Sequence, residues 1–246
     1  ALDAANRIMY VSDTEHNAIL RIPLANPADA RRLNTGMVVL DRPRGLAWNP
    51  IAQRLYYTTS TGINELDPLA PTSAGQRWSI YAPNYLAIDI DGGRLFATTM
   101  QLTIGVYNMS LSIPSTSTPL SYVWSVVRAL TLNTDTGTFI LQDQQNRLIG
   151  VPRNDPSATR TEATSASFIT PGGMFYNPTD QRVYHLDKYH KRIVAYRSPI
   201  ETTANALVLP TPLVSPRWMA LSPFYNTLYV AENSGYIVRY MLSTFP

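Results

Sequence analysis

A six-fold echo constrains this chain more than any other feature: RIMYVSD at 7 to 13, RLYYTTS at 54 to 60, RLFATTM at 94 to 100, TFILQD at 138 to 143, RVYHLDK at 182 to 188 and TLYVAEN at 227 to 233. Marking the aromatic or Met at the second apolar position gives Met9, Tyr56, Phe96, Phe139, Tyr184 and Tyr229, spaced by 47, 40, 43, 45 and 45 residues. A period of this size means one supersecondary unit repeated, each burying its apolar faces against its neighbours.

Every echo has companions in constant order. Upstream lies a short apolar stretch ending in Asn, Asp or Ser: GLAWNP (45 to 50), YLAIDID (85 to 91), ALTLNTD (129 to 135), GMFYNP (173 to 178) and WMALSP (218 to 223). Downstream comes a second alternating run, such as AILRIPL (18 to 24) or RIVAYR (192 to 197), and then a fourth segment: MVVLD (37 to 41), RWSIYA (77 to 82), SYVWSVV (121 to 127), SFITP (167 to 171) and ALVLP (206 to 210). Period-two alternation punctuated by turn residues predicts strands joined as hairpins.

Four short strands in about 44 residues match a β-propeller blade, whose expected length is roughly 40 to 50 residues. A β-sandwich has no reason to repeat its strands in phase, whereas radial closure does. The sequence therefore predicts an all-β fold, a six-bladed β-propeller with four-stranded antiparallel blades, strands A (innermost) to D (outermost). It forms a single domain over 1–246, with blades about 1–41, 42–82, 83–127, 128–171, 172–214 and 215–246. Leu2 and Asp3 leave only a stub of strand A in the first blade, and Ser243 to Pro246 is all that follows strand C of the last. The first and last blades are thus expected to be incomplete at the seam, or the chain to be part of a longer one.

Composition narrows the function classes. With 45% hydrophobic residues in 246, one sizeable core is within reach. No apolar run approaches the roughly 18 residues of a membrane span, so a soluble protein without membrane insertion is expected. Zero cysteines remove disulfide and thiol chemistry. The net charge of +3 rests on eighteen Arg and two Lys, dense only at Arg31-Arg32 and from Lys188 to Arg192 and not interleaved with aromatics, which argues against a nucleic-acid partner.

The segments ALDAANRIMYVSDTEHNAILRIPL and RPRGLAWNPIAQRLYYTTSTGINELD resemble blades of the six-bladed β-propellers of the YWTD and NHL class. Their repeat runs Pro-x-Gly-Leu-Ala-Val-Asp-Pro, then Leu-Tyr-Trp-Thr-Asp, then Ile-x-Arg. The likeness spans nearly the whole chain and is strongest in blades 1, 2, 5 and 6. The tetrapeptide becomes Tyr10-Val11-Ser12-Asp13, Tyr57-Thr58-Thr59-Ser60 and Val230-Ala231-Glu232-Asn233, so this is a divergent member that does not keep the Trp. The resemblance implies an extracellular or cell-surface setting, against which stands the absence of cysteine.

Five residues occupy matching phase just before strand A: Arg44, Asn84, Arg128, Gly172 and Arg217. In propellers these entrances and the B to C loops converge on the central channel. Arg44, Asn84, Arg128 and Arg217 are therefore candidate ligand-binding residues at the channel mouth, since guanidinium forks suit carboxylates and phosphates. The same arginines can equally hydrogen-bond a neighbouring blade's loop. Six-bladed lactonases of the gluconolactonase type, and strictosidine synthase-like proteins, also resemble the fold, and the former gather Glu, Asn and Asp around a divalent metal. A hard cation wants converging oxygens, and arginine at three of the five entrances is the wrong chemistry.

No catalytic residue, metal site or cofactor is expected. His16, His185 and His190 lie on two separate blades with no G-x-S-x-G nearby. Asp13, Asp143, Asp187 and Glu232 end strand B, where a carboxylate accepts turn amides and ties the B to C hairpin. Trp48 and Trp218 are expected to pack between blades, and Trp78 and Trp124 to reach the rim. Trp124 beside Tyr122 is the candidate partner-binding pair, because Trp is enriched in interface hot spots. The residues favour a non-enzymatic binding or scaffolding propeller that recognises protein, alone or as a module of a larger assembly or receptor. The alternative is a small-molecule hydrolase or lyase of the gluconolactonase or strictosidine synthase-like type acting at the central channel.

Overall fold

A computed structural model describes residues 1–33, 40–73, 75–99, 104–109, 127–145, 147–155, 161–164, 171–197, 205–206, 212–222 and 224–242. Packing divides the chain into two compact units, Ala1–Ser121 and Tyr122–Pro246. Among the described residues each unit holds three antiparallel sheets, and in every sheet the strands pair in chain order.

In the first unit, sheet 1 is β1 (Leu2–Asp3), β2 (Ile8–Asp13), β3 (Ala18–Pro23) and β4 (Arg31–Arg32). Sheet 2 is β5 (Leu46–Asn49), β6 (Arg54–Thr58), β7 (Gly62–Leu66) and β8 (Gly75–Ser79), and sheet 3 is β9 (Pro83–Asp89), β10 (Arg94–Thr99) and β11 (Ile104–Asn108). In the second unit, sheet 4 is β12 (Val127–Asn133), β13 (Thr138–Asp143), β14 (Arg147–Pro152) and β15 (Thr161–Thr164). Sheet 5 is β16 (Pro171–Asn177), β17 (Arg182–Asp187), β18 (Arg192–Arg197) and β19 (Asn205–Ala206), and sheet 6 is β20 (Pro216–Ser222), β21 (Thr227–Glu232) and β22 (Ile237–Met241).

The first three strands of each sheet fall where the sequence places them, including the Leu2–Asp3 stub, and β8 and β19 overlap their predicted fourth segments, but the fourth strands of sheets 1 and 4 do not. The strand that pairs β3 is Arg31–Arg32, and the strand that pairs β14 is Thr161–Thr164. Both lie ahead of the predicted fourth segments at 37 to 41 and 167 to 171, much of which falls outside the described residues. Val127 and Pro171 open the next sheet instead of closing the previous one.

One local device sets the first hairpin of all six sheets. Asp3 faces Ile8, Asn49 faces Arg54, Asp89 faces Arg94, Asn133 faces Thr138, Asn177 faces Arg182 and Ser222 faces Thr227. The residue immediately before each second strand has positive φ: Arg7, Gln53, Gly93, Gly137, Gln181 and Asn226. The facing Asp, Asn or Ser is buried and caps the turn. Asn49 Oδ1 accepts the amides of Ile51 (3.0 Å) and Ala52 (3.1 Å), and Asn133 Oδ1 those of Asp135 (3.0 Å) and Thr136 (3.2 Å). Asp3, Asp89, Asn177 and Ser222 do the same for Asn6, Gly92, Thr179 and Tyr225. This is the side-chain mimicry of a turn that makes Asn, Asp and Ser recur at such sites.

The common register corrects the marker series. Counting two residues on from the hairpin pair, the structural equivalents are Tyr10, Tyr56, Phe96, Ile140, Tyr184 and Tyr229, so Met9 and Phe139 stand one residue early. Arg7 is itself the positive-φ turn residue, whereas Arg54 already belongs to the strand, and alignment on arginine slips by one.

Alternation then buries the middle sheet of each unit on both faces. Leu55 and Tyr57 join Ile8, Tyr10, Ile19 and Trp48 in one cluster, while Tyr56 joins Ile63, Trp78, Leu95, Ala97 and Tyr107 in another. Sheet 5 repeats this: Val183 and Val194 pack with Ile140 and Leu148, and Tyr184 and Leu186 with Leu221, Leu228 and Val230. Trp48 stacks on Tyr10 with ring centroids 5.5 Å apart, as an inter-sheet residue should. Trp78 is not at a rim: it is 1% exposed, between the rings of Tyr56 (6.0 Å) and Tyr107 (5.3 Å). Trp218, expected between blades, is 37% exposed.

Candidate functional site

Four of the five entrance residues sit at irregularities of the first strands, whereas Arg44 lies just before β5, whose pairing with β6 is regular. Between Val127, which pairs Asp143, and Ala129, which pairs Gln142, Arg128 is the extra residue of a β-bulge. Arg217 holds the same place between Pro216, opposite Glu232, and Trp218, opposite Ala231. Gly172 and Gly173 bulge against Leu186, and Asn84 and Tyr85 against Thr98. A bulge turns the side chain of its extra residue away from the pleat, which is why bulges collect beside functional sites. It also explains the exposure of Trp218, whose alternation restarts one residue late; its Cδ2 would stand 3.5 Å from a Cβ on Gly173, itself at φ 147°.

In the first unit, hydroxyls on the second strands fix this end of the sheets. Thr58 Oγ1 accepts the Gly45 amide (2.9 Å) and donates to the Asn84 carbonyl (3.2 Å), and Thr98 Oγ1 accepts the Tyr85 amide (3.2 Å). Ser12 Oγ donates to the Arg44 carbonyl at 2.7 Å, and Thr14 Oγ1 to that of Pro43 at 2.7 Å. Strand β5 runs so close to β9 that a Cβ on Gly45 would strike the Asn84 carbonyl oxygen. Arg44 and Asn84 are therefore joined through backbone and Thr58, with the Arg44 side chain exposed.

The second unit is built differently. The positions equivalent to Ser12, Thr58 and Thr98 are Gln142, Leu186 and Ala231. Arg128 and Arg217 are exposed, and both their charges act on Lys188, the residue after β17. Burial, then Arg217, then Arg128, lower the Lys188 pKa from the usual lysine range. The Arg217 Nε donates to Asn233 Oδ1. The structure thus brings two of the four predicted ligand-binding residues to one cluster and adds Lys188, which the phase of the first strands does not reveal. Tyr122 and Trp124 lie outside the described residues.

The carboxylates behave as turn ties, with one exception. Asp13 Oδ1 accepts the His16 amide, Asp143 those of Gln145 and Arg147 (both 2.9 Å), and Asp187 that of His190 (3.2 Å). The His190 ring (2.7 Å) and Arg192 (3.2 Å) also bind Asp187. Glu232 instead reaches back to the amides of Val214 (3.2 Å) and Ser215, holding the segment that leads into β20. His185 is buried, and desolvation drops its pKa to about 4, so it is a neutral packed side chain.

Large apolar side chains lie exposed at the same end of the second unit's sheets: Tyr189 between β17 and β18, Val214 and Trp218 around the start of β20, and Tyr236 before β22. Among the described residues no helix is long and apolar enough to cross a membrane.

Compared with known proteins, the chain matches no known family profile. It matches no curated protein by sequence. Among solved structures 1593 chains match, a breadth that marks a widely shared architecture. One is a chain of the crystal structure of a nidogen/laminin complex, with a TM-score of 0.79 at 15% identity, covering 96% of this chain and 89% of that one. The fold is accordingly that of a β-propeller, and at this identity the likeness speaks to fold alone.

Proposed function

We propose that this chain is a non-enzymatic protein-binding propeller, its six sheets the six blades of one domain over 1–246, used alone or as a module of a larger assembly. The observation that carries the reading is the group of exposed apolar side chains, Tyr189, Val214, Trp218 and Tyr236, at one end of the second unit's sheets. Monomers keep contiguous exposed apolar surface small, and aromatic side chains on rigid strands and short hairpins make effective interface anchors. The fold likeness to a chain solved within a protein complex supports the same reading. The cations gathered beside these residues suit a lactonase-type metal centre poorly, since a metal needs converging oxygens.

The test is quantitative capture from native extracts by the tagged chain and by a variant carrying Tyr189→Ser, Trp218→Ser and Tyr236→Ser. A specific partner enriched by the parent and reduced at least about tenfold by the variant is expected, a loss ordinary for hot-spot residues. Equal recovery by both, or turnover of lactone substrates by the parent, contradicts the reading.

A further inference from the structure

The cationic cluster follows from a substitution of one chain element by another. Sheets 4 and 6 present arginine at the bulge of the first strand, but sheet 5 presents Gly172 there. A Cβ on Gly172 would fall 2.8 Å from Lys188 Cγ, 2.7 Å from Leu186 Cδ2 and 2.9 Å from the Arg217 carbonyl oxygen. The aliphatic stem of Lys188 therefore lies where a side chain of residue 172 would begin. Its ammonium completes a series of Arg, Lys and Arg across three successive sheets.

The acids of this region are engaged elsewhere. Asp143 is held by Arg147, Asp187 by Arg192 and His190, and Glu232 by the Val214 and Ser215 amides. Among the described residues neither Arg128 nor Lys188 has an ion-pair partner, and Arg217 meets only the neutral Asn233. Gathering like charges around a half-buried lysine is unfavourable in isolation and becomes favourable once an anion arrives. The lowered pKa of Lys188, caused by burial and by the two guanidinium groups, is the electrostatic counterpart of that geometry.

We propose that Arg128, Lys188 and Arg217 receive the carboxylates of an acidic segment of a protein partner, an assignment that rests on the protein-binding reading. Three cations on three separate sheets suit carboxylates distributed along a chain. Tyr189, next to Lys188, and Trp218, next to Arg217, offer apolar contact to the residues between them. Charge complementarity of this kind sets specificity and association rate.

The chain has only two lysines, Lys188 and Lys191, so reductive methylation with labelled carbon gives one NMR signal for each beside that of the α-amine. A blocked oligoglutamate peptide is expected to shift the Lys188 signal and raise its titration midpoint while leaving Lys191 in place. Arg128→Gln and Arg217→Gln, both at exposed positions, should each weaken the peptide about fivefold or more, and exposed Arg31→Gln should not. The assignment is overturned if Lys188 does not respond, if Lys191 responds equally, if Arg31→Gln weakens binding as much, or if inorganic phosphate moves Lys188 and the peptide does not. Capture of a partner through the aromatic residues would survive any of these, so the two readings fail separately.

Discussion

The two units run the same hairpin program and finish it differently. In each, a buried Asn, Asp or Ser caps a turn whose last residue has positive φ, and period-two strands bury both faces of the middle sheet. At the end where the first strands begin, the first unit spends its polar groups on itself: Ser12, Thr58 and Thr98 hydroxyls bind backbone of their own or the neighbouring sheet. The second unit replaces those hydroxyls with Gln142, Leu186 and Ala231 and presents Arg128, Lys188 and Arg217 there. The first unit also leaves Arg44 and Tyr81 exposed at that end, so what sets the second apart is the grouping of three cations beside Tyr189 and Trp218.

The contrast can be broken first at the tryptophans. Trp78→Ala should cost about 3–5 kcal/mol, the usual range for emptying a buried aromatic site, and Trp218→Ala less than about 0.5 kcal/mol because its ring is partly solvated. Urea unfolding of both variants measures this, and comparable losses would refute the placement of function at Trp218.

Acid sensitivity comes next. Burial depresses the His185 pKa from 6.5 to about 4, so between these values the unfolded chain binds a proton that the folded chain excludes. Stability from neutral His185 is complete above pH 6.5 and is lost as pH falls towards 4, by about 3 kcal/mol. His185→Leu should flatten the dependence of melting temperature on pH in that window.

Thr58→Val should cost about 1–3 kcal/mol by stranding the Gly45 amide and the Asn84 carbonyl. Ala231→Ser, which offers a hydroxyl at the equivalent place in the second unit, should stay within about 0.5 kcal/mol. A large gain from Ala231→Ser would mean that the second unit wants the same fastening. Most even are the caps: Asn49→Ala and Asn177→Ala should each cost about 1 kcal/mol, and a marked inequality in their unfolding midpoints would undo the claim of a shared scaffold.

Much of this was legible in the sequence because hairpin chemistry is local. Asn49, Asp89, Asn133 and Asn177 announce their turns, and the second strands begin five residues later. What failed was what depends on partners elsewhere. Arg7 and Arg54 look alike but occupy a turn and a strand, so the phase slipped in sheet 1, and in sheet 4 the marker followed the aromatic Phe139 in place of Ile140. The fourth strands β4 and β15 lie ahead of the apolar segments that marked them, and Glu232 serves a segment preceding its own sheet's first strand. Trp78 and Trp218 exchanged expected environments, one because an outer strand is covered by the next sheet, the other because a bulge interrupts alternation. Arg128 and Arg217 were visible from phase. Lys188 was not, because it comes from a different strand and only Gly172, the gap in the arginine series, marks its place.

The most direct test of the central claim is hydrogen exchange along the whole chain with and without its captured partner. Protection should concentrate at 127–129, 172–174, 188–190, 214–218 and 233–236 of the second unit, leaving 42–46 and 83–86 of the first unit unchanged. Equal protection of both sets, or protection confined to the first unit, would contradict the division of labour between internally satisfied and partner-facing repeats.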